Sequence, residues 1–599
     1  MFQQRFSGNI KKIAGYTKFV FLVLVFAVVS CRKNPVADNG DTVPENPAAP
    51  VFYNLSLETD KACYSPGDEI NFTLSGQISF PVKVRYKYLN TLVSDVELPA
   101  AEWTWTAPAD DLRGYTVEVY DTVDQQEVIY AATAVDVSSD WTKFPRYGFL
   151  SSYGVMSEDE IQQVISDLNR FHINGLQFYD WHNKHHKPLP LVNSVPASSW
   201  KDIGNRTTYF STVKNYIDAA HNRNMKTMFY NLLYGAWNDF QEDGVDRQWF
   251  MYSDNTHTNI DIFALSSPFL SSLYLLDPSN ANWQQYLKDQ NEIVYNNLDF
   301  DGYHIDQLGD RGTRYTYDGS YLNLTQAFGS FIQANNSAFP EKYAVMNAVN
   351  QYGQQVIAQS PVNFLYTEVW SPYDTYKDLA SLIRQNNMLS GNAKNQVLAA
   401  YVNYNLADTK NYFNDASVLF ADAVIFAFGG AHLELGEHML CREYFPFDKL
   451  QMSDNLRTSL LSYYNFMVAY QNLLRDGGDF NTVNLESLDG KIKFANWPEG
   501  NGYVSVIGKL VGDRQIIHLI NFTASTTTSW RDNEGVQSTP PLISGAKISF
   551  THPDPVNRIW VASPDIAGGS PQELNFLQQG DRVSFELPSL KYWDMIVIE

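Results

Sequence analysis

Residues 146–181 read RYGFLSSYGVMSEDEIQQVISDLNRFHINGLQFYDW, and this stretch decides the fold. RYGFLSS is a short apolar strand. Ser157 and Glu160 then stand three apart as a capping box, in which hydroxyl and carboxylate each take an amide that the first helical turn leaves free. Ile161, Val164, Ile165, Leu168 and Phe171 follow at the three- and four-residue spacing that lays one face of a helix on a core. GLQFYDW is the next strand. A helical crossover between two strands makes them parallel neighbours rather than a hairpin.

Working outward, the same rhythm continues to about residue 470. A helix through Phe210, Val213, Ile217 and Ala220 leads to the strand KTMFYNLLY. A polar and aromatic insertion near 235–276 precedes the helix that begins after Asn282. FDGYHID, YAVMN, FLYTEVW, QVLAAYV and AHLEL supply the fourth to eighth strands. A closing helix carries Leu456, Leu460, Leu461, Tyr464, Met467 and Val468 on one face. Eight βα units predict a closed (β/α)8 TIM barrel over 139–484. The rival, an open doubly wound sheet, is weakened because no Gly-rich phosphate loop follows the first strand.

A chain of 599 residues exceeds one core, and both flanks change rhythm. In 51–138, EINFTLSG, PVKVRYKYL and GYTVEVYD alternate apolar and polar residues around the turn SPGDE, which predicts an immunoglobulin-like β-sandwich. In 485–599, KIKFANW, GYVSVIGKL, QIIHLINFT, NRIWVAS, RVSFELP and WDMIVIE predict a second β-sandwich. At the start, Lys11, Lys12 and Lys18 precede the run Phe19–Val29, too short to span a bilayer comfortably. It ends in Val28-Val29-Ser30-Cys31, which resembles a lipobox. Residues 1–31 are therefore expected to be a lipoprotein signal peptide with Cys31 lipidated, and the Pro-, Asn- and Asp-rich 32–50 a tether. The expectation is an exported lipoprotein of the outer membrane or cell surface, monomeric and held to the membrane by its lipid.

The net charge is −23, with 18% of residues charged and 14% aromatic. No basic cluster follows the signal segment, so a nucleic-acid partner is not expected. Rings and amides suit neutral, hydroxyl-rich ligands, whose apolar faces stack on aromatic side chains. Cys63 and Cys441 read as ordinary buried or half-buried thiols. His182, His185 and His186 have a metal-like spacing but no carboxylate cluster or helix beside them in sequence, so no metal or other cofactor is expected.

In such barrels the working residues sit at the C-terminal ends of the strands. Those ends carry Tyr179, Asp180, Trp181 and His182, then Asn231 and Tyr234, then Asp306 and Asp310, Asn347, Glu368 and Trp370, Tyr401 and Asn403, and last His432, Glu434 and Glu437. Asp306 and Glu368 end the fourth and sixth strands and should overhang one mouth. Cleaving a glycosidic bond needs two such groups, one ionised and one protonated. A plainer alternative has either one capping a helix or pairing with an arginine such as Arg311.

FYDWHNKHH, MFYNLLYGA, FDGYHIDQLGDRG, LYTEVW and GGAHLELGEHML…REYFP resemble, in order and spacing, the motif series of glycoside hydrolase family 66. TDKACYSPGDEINF and LPSLKYWDMIVI extend the resemblance over nearly all of the chain after the tether. The family contains endo-dextranases and cycloisomaltooligosaccharide glucanotransferases. The resemblance implies a retaining mechanism with Asp306 as nucleophile and Glu368 as general acid/base. Asp180, Trp181 and His182 are expected to contact the sugar, with Tyr179, Asn231, His432 and Glu434 on the same rim. Asp310 is expected to orient Asp306, cap a helix or pair with Arg311; Tyr234 and Trp370 are expected to stack on sugar or pack in loops.

The expected activity is endo-cleavage of the α-1,6 linkages of dextran to isomaltooligosaccharides. The alternatives are a glucanotransferase that cyclises the same chain and a non-catalytic surface glycan-binding lipoprotein. The family's cyclising members carry an inserted carbohydrate-binding module, whereas here only about thirty residues separate the seventh and eighth strands. Retention of both carboxylates in their motifs argues against the binder.

Overall fold

A computed structural model describes residues 43–599. The expected signal peptide with Cys31, and most of the stretch 32–50 expected to be a tether, lie outside the described residues.

The opening unit forms as its sequence dictates. Strand β1 (Tyr147–Leu150) pairs in parallel with β2 (Gly175–Phe178), and helix α1 (Glu158–Arg170) links them. Both halves of the Ser157–Glu160 capping box are made, and α1 buries Ile161, Ile165 and Leu168. The parallel order continues through β3 (Lys226–Leu232), β4 (Gly302–Asp306) and β5 (Tyr343–Met346). A second parallel set holds β6 (Leu365–Glu368), β7 (Gln396–Ala399) and the two-residue β8 (Ala431–His432). Parallel bridges Asn347–Tyr366 and Phe149–Gly436 join the two sets at both edges, so the pairings run in a ring. Trp141 packs against Tyr147, Tyr343 and Phe364 at the N-terminal end of the strands. Gly175 lies under its indole, where a Cβ would come within 2.2 Å of the ring. That end is closed, which leaves the C-terminal end to form a cavity.

The N-terminal part holds a five-stranded and a three-stranded antiparallel-rich sheet around Ile70, Phe72, Val84, Val117 and Val135. The C-terminal part has a seven-stranded sheet facing a four-stranded one, and its first strand is Asp479–Asn481, ahead of the expected start at 485. In that larger sheet, Ile517, Leu519, Ile596 and Ile598 face the smaller sheet's core, while Ile516, Ile520, Trp593, Met595 and Val597 pack on the central ring's core. Burial on both faces explains why QIIHLIN and WDMIVI read as continuous apolar runs instead of alternating.

Candidate active site

The cavity at the C-terminal end of the ring has a volume of about 620 Å³, within the range of small-ligand sites. Gln177, Tyr179, Asp180, Tyr230, His304, Asp306, Asn347, Glu368 and Tyr401 come from strand ends and line its floor. Phe263, Leu265, Pro268, Phe269 and Leu273 from the 235–276 insertion, with Glu443, Tyr444, Phe445 and Phe447 after β8, form the walls. Tyr179 stacks on Phe445 with ring centres 4.2 Å apart.

Asp306 and Glu368 face each other across one amide. Asn347 Nδ2 donates to Asp306 Oδ1 at 2.8 Å and to Glu368 Oε2 at 3.1 Å. Those two bonds hold the two carboxylate oxygens within about 5.9 Å, their summed length; with amide hydrogens ~120° apart the separation is about 5 Å. The Asn347 amide cannot turn over, because its Oδ1 accepts the backbone N–H of Glu368 at 3.2 Å. The remaining oxygens have their own donors: Tyr230 gives its hydroxyl to Asp306 Oδ2 at 2.7 Å, and Tyr401 to Glu368 Oε1 at 2.9 Å.

Burial, and then the nearby Asp306 charge, push the Glu368 carboxyl up to about 7, against the pull of Asn347 and Tyr401. Burial raises Asp306 as well, opposed by Tyr230 and Asn347. The arrangement therefore keeps a proton on one of two adjacent carboxyls near neutral pH, and the Asp306 charge favours Glu368 as its holder. Asp180 is pushed up to about 8, first by burial, with Arg206 pulling down and Asp202 and Asp306 adding to the rise.

Of the rim residues expected from sequence, Tyr179, Asp180, Asn347, Tyr401 and the two carboxylates line the cavity. The others do not. Trp181 is fully buried among Trp200, Phe229 and Phe300, and its indole donates to the Tyr230 carbonyl. His182 is buried behind the floor with both ring nitrogens unpartnered, and burial lowers it to about 3, so it is neutral. Asn231 faces away from the cavity and donates to the His185 carbonyl. Tyr234 is core, its hydroxyl accepting the Leu308 amide. Asp310 is exposed and accepts from the Gly312 amide in its own turn, while Arg311 pairs with Asp261. Trp370 packs on Tyr401 beneath the Arg531 guanidinium. Glu437 accepts from Ser151.

His432 and Glu434 belong to a separate buried group. His432 sets Nε2 against the Ala400 carbonyl and Nδ1 against Asp422 at 2.8 Å, with Glu434 3.4 Å from Nδ1. Burial raises Asp422 to about 8 and Glu434 well above its usual range, so this cluster retains protons on its carboxyls. The three have the donor types of a cation site, as do His186, Asp239 and Asp243. In the second group Lys184 bridges both aspartates and Lys187 adds to Asp243, which already neutralises the carboxylates.

Sequence reasoning passed over Tyr230, although it lies inside the quoted motif MFYNLLYGA, and the aromatic walls, although REYFP was among the motifs. It placed Asn347 and Tyr401 at strand ends without separating them from their neighbours.

A cycloisomaltooligosaccharide glucanotransferase of Niallia circulans is 28% identical over 90% of this chain and 71% of its own length. A dextranase of Streptococcus salivarius is 23% identical over 84% of this chain and 68% of its own. The crystal structure of a Paenibacillus sp. cycloisomaltooligosaccharide glucanotransferase complexed with cycloisomaltoheptaose superposes with a TM-score of 0.84 at 25% identity, covering 91% of this chain and all of that one. The model of glycosyl hydrolase family 66 matches residues 59–597, and the chain belongs to that family.

Proposed function

We propose that this glycosidase is an endo-acting, retaining dextranase that cleaves α-1,6-glucosidic linkages, with Asp306 as nucleophile and Glu368 as general acid/base. We read the ring of parallel strands as a (β/α)8 barrel between an immunoglobulin-like and a second β-sandwich. The observation that carries the mechanism is the Asn347 bridge. Retaining enzymes hold their carboxyls about 5–5.5 Å apart, whereas inverting enzymes need ~6.5–9.5 Å to seat a water between them. An upper bound near 5.9 Å between the bridged oxygens favours the first.

In the proposed cycle an Asp306 oxygen attacks the anomeric carbon as Glu368 gives its proton to the departing glycosidic oxygen. Glu368, now ionised, takes a proton from water as that water attacks the same carbon and releases Asp306. Tyr230 and Asn347 hold Asp306 for attack, and Tyr401 and Asn347 hold Glu368 opposite.

The Streptococcus salivarius relative supports hydrolysis. The Niallia circulans relative supports the second reading, in which the sugar's own 6-hydroxyl replaces water and closes a ring. Its match runs over 711 aligned positions, more than the 599 residues here, so it has internal stretches with no counterpart in this chain. That difference tilts the reading to hydrolysis. The lipobox-like segment ending at Cys31 supports the further proposal of a membrane-anchored, exported enzyme.

The test is incubation of residues 43–599 with dextran, starch and pullulan, resolving products by size, with Asp306→Asn and Glu368→Gln as controls. Linear isomaltooligosaccharides from dextran alone, absent in both variants, are expected. Cyclic products would move the assignment to the transferase, and binding without cleavage would overturn the enzyme reading.

A further inference from the structure

The loop Ser525–Gln537 joins two strands of the C-terminal sandwich, Arg514–Asn521 and Ile543–Thr551, but packs on the central ring. Trp530 is fully buried there and donates to the Tyr373 carbonyl at 2.7 Å. Asn403, just past β7, donates its backbone N–H to the Arg531 carbonyl at 2.7 Å and its side chain to the Asp532 carbonyl at 2.8 Å. Ser417 on helix α2 (Asp415–Ala427) donates to the Asp532 carboxylate at 2.5 Å. The loop is thus fixed at both sides of Arg531.

Arg531 is only 7% exposed. Its guanidinium donates to two carbonyls, Val369 at 2.7 Å and Tyr401 at 3.2 Å, and lies over the Trp370 ring at 5.1 Å. Among the described residues no carboxylate lies within ion-pair distance of it, Asp374 and Glu443 acting only from farther off. Burying a cation so placed is costly, so general anchoring is a poor reason for it. The two carbonyls have one thing in common. Val369 follows Glu368 directly, and Tyr401 gives Glu368 its hydroxyl hydrogen bond.

We infer that Arg531 is a positioning residue through which the C-terminal sandwich sets the Glu368 carboxyl. The planar fork grips both backbone segments at once, fixing the strand end that bears Glu368 and the phenol that aims it. A lysine in the same place keeps the charge but lacks the planar fork whose two nitrogens hold the two carbonyls in fixed geometry. The C-terminal sandwich is then part of the catalytic apparatus, acting through residues that touch Glu368 rather than touching substrate itself. This rests on the reading of Glu368 as the acid/base.

The test compares Arg531→Met and Arg531→Lys with the wild type in the 43–599 protein, on dextran and on an aryl α-isomaltoside with a nitrophenolate leaving group. The aryl leaving group departs without a proton, so it bypasses the acid step but still needs the cavity and Asp306. For Arg531→Met, kcat on dextran is expected to fall ~10- to 100-fold, the cost of a small misplacement, with KM little changed. The pre-steady-state burst of nitrophenolate, which reports formation of the glycosyl-enzyme alone, should stay near the wild-type rate. Steady-state release should fall because Glu368 also serves as base for the water, and the basic limb of the dextran pH profile should move. Arg531→Lys should fall between, and it carries the test if the methionine variant does not fold. A nitrophenolate burst slowed as much as dextran turnover, or no loss on either substrate, would overturn the inference while leaving the glycosidase reading in place. A wild-type protein inactive on both substrates would overturn the two together.

Discussion

Replacing Glu368 by glutamine removes one titrating group from the cavity and keeps its volume. The glutamine can offer its oxygen to Asn347 and its nitrogen to a turned Tyr401 hydroxyl, so the packing survives. The folded-state carboxyl sits at about 7 against an ordinary value of 4.5. Its pKa is raised, so the folded protein holds the proton that the unfolded chain has lost, and stability falls as pH rises from the lower value through the higher. Below the unfolded value both states are protonated and there is no difference. Above pH 7 the full cost applies, about 3 kcal/mol for two and a half pKa units at ~1.36 kcal/mol each. Because Glu368 keeps part of its surface open to the cavity, solvent screening reduces this to about 2 kcal/mol. Glu368→Gln should therefore abolish dextran cleavage and yet unfold at higher urea than the wild type at pH 8, with most of that gain gone at pH 5. A gap of the same size at both pH values, or a less stable variant at pH 8, would refute the charge assignment whatever happens to activity.

Asn347→Ala frees both carboxyls from the bridge, and kcat on dextran should fall by about two orders of magnitude with KM little altered, read from initial rates. Tyr401→Phe removes a hydrogen bond to the Glu368 anion, so the Glu368 pKa rises further and the basic limb of the pH–rate profile should move to higher pH. Trp181→Ala leaves a hole in the core rather than in the rim, so a stability loss of about 3–5 kcal/mol is expected, seen in urea unfolding, with KM of the surviving fold unchanged.

The strand–helix rhythm and the two carboxylates were legible because each rests on local chemistry: helix periodicity, a capping box, and a carboxyl closing an apolar strand. What the sequence hides is the face of each strand. Strands buried on both sides carry no polar–apolar alternation, so nothing marks which residues point into the ring. A shift of one residue along a strand reverses the face. Asn231 was chosen and Tyr230 passed over for that reason: Tyr230 lines the cavity and binds Asp306, while its neighbour turns outward to the His185 carbonyl. At the end of β2 the backbone itself intervenes. Asp180 adopts a left-handed conformation with φ of 47°, which keeps Asp180 on the rim and sends Trp181 into the core. His432 and Glu434 were expected at the mouth because they follow the last strand. Their side chains turn instead to Asp422 on α2 and to Tyr464, partners that only the folded chain brings near. The cavity walls and Arg531 come from the insertion, the segment after β8 and a loop of the C-terminal part, all distant in sequence from Glu368.

The Asn347 amide has one more consequence for the proposed cycle. Its oxygen is taken by the Glu368 backbone, so both of its hydrogens are committed to the carboxyls in every protonation state. Tyr401 occupies the other Glu368 oxygen as a donor. The one protein oxygen among these partners that could accept the hydrogen of a protonated Glu368 is the Tyr401 hydroxyl, which would have to turn from donor to acceptor. Glu368 also lines the cavity, where a glycosidic oxygen would take that hydrogen and leave Tyr401 as a donor. Asp306 is held by the same amide and by Tyr230, and both of those bonds favour its anion. One side chain between the fourth and sixth strands therefore serves both carboxyls at once: it sets their spacing, opposes the effect of burial on the proposed nucleophile, and leaves the proposed acid's proton to the substrate or a turned Tyr401.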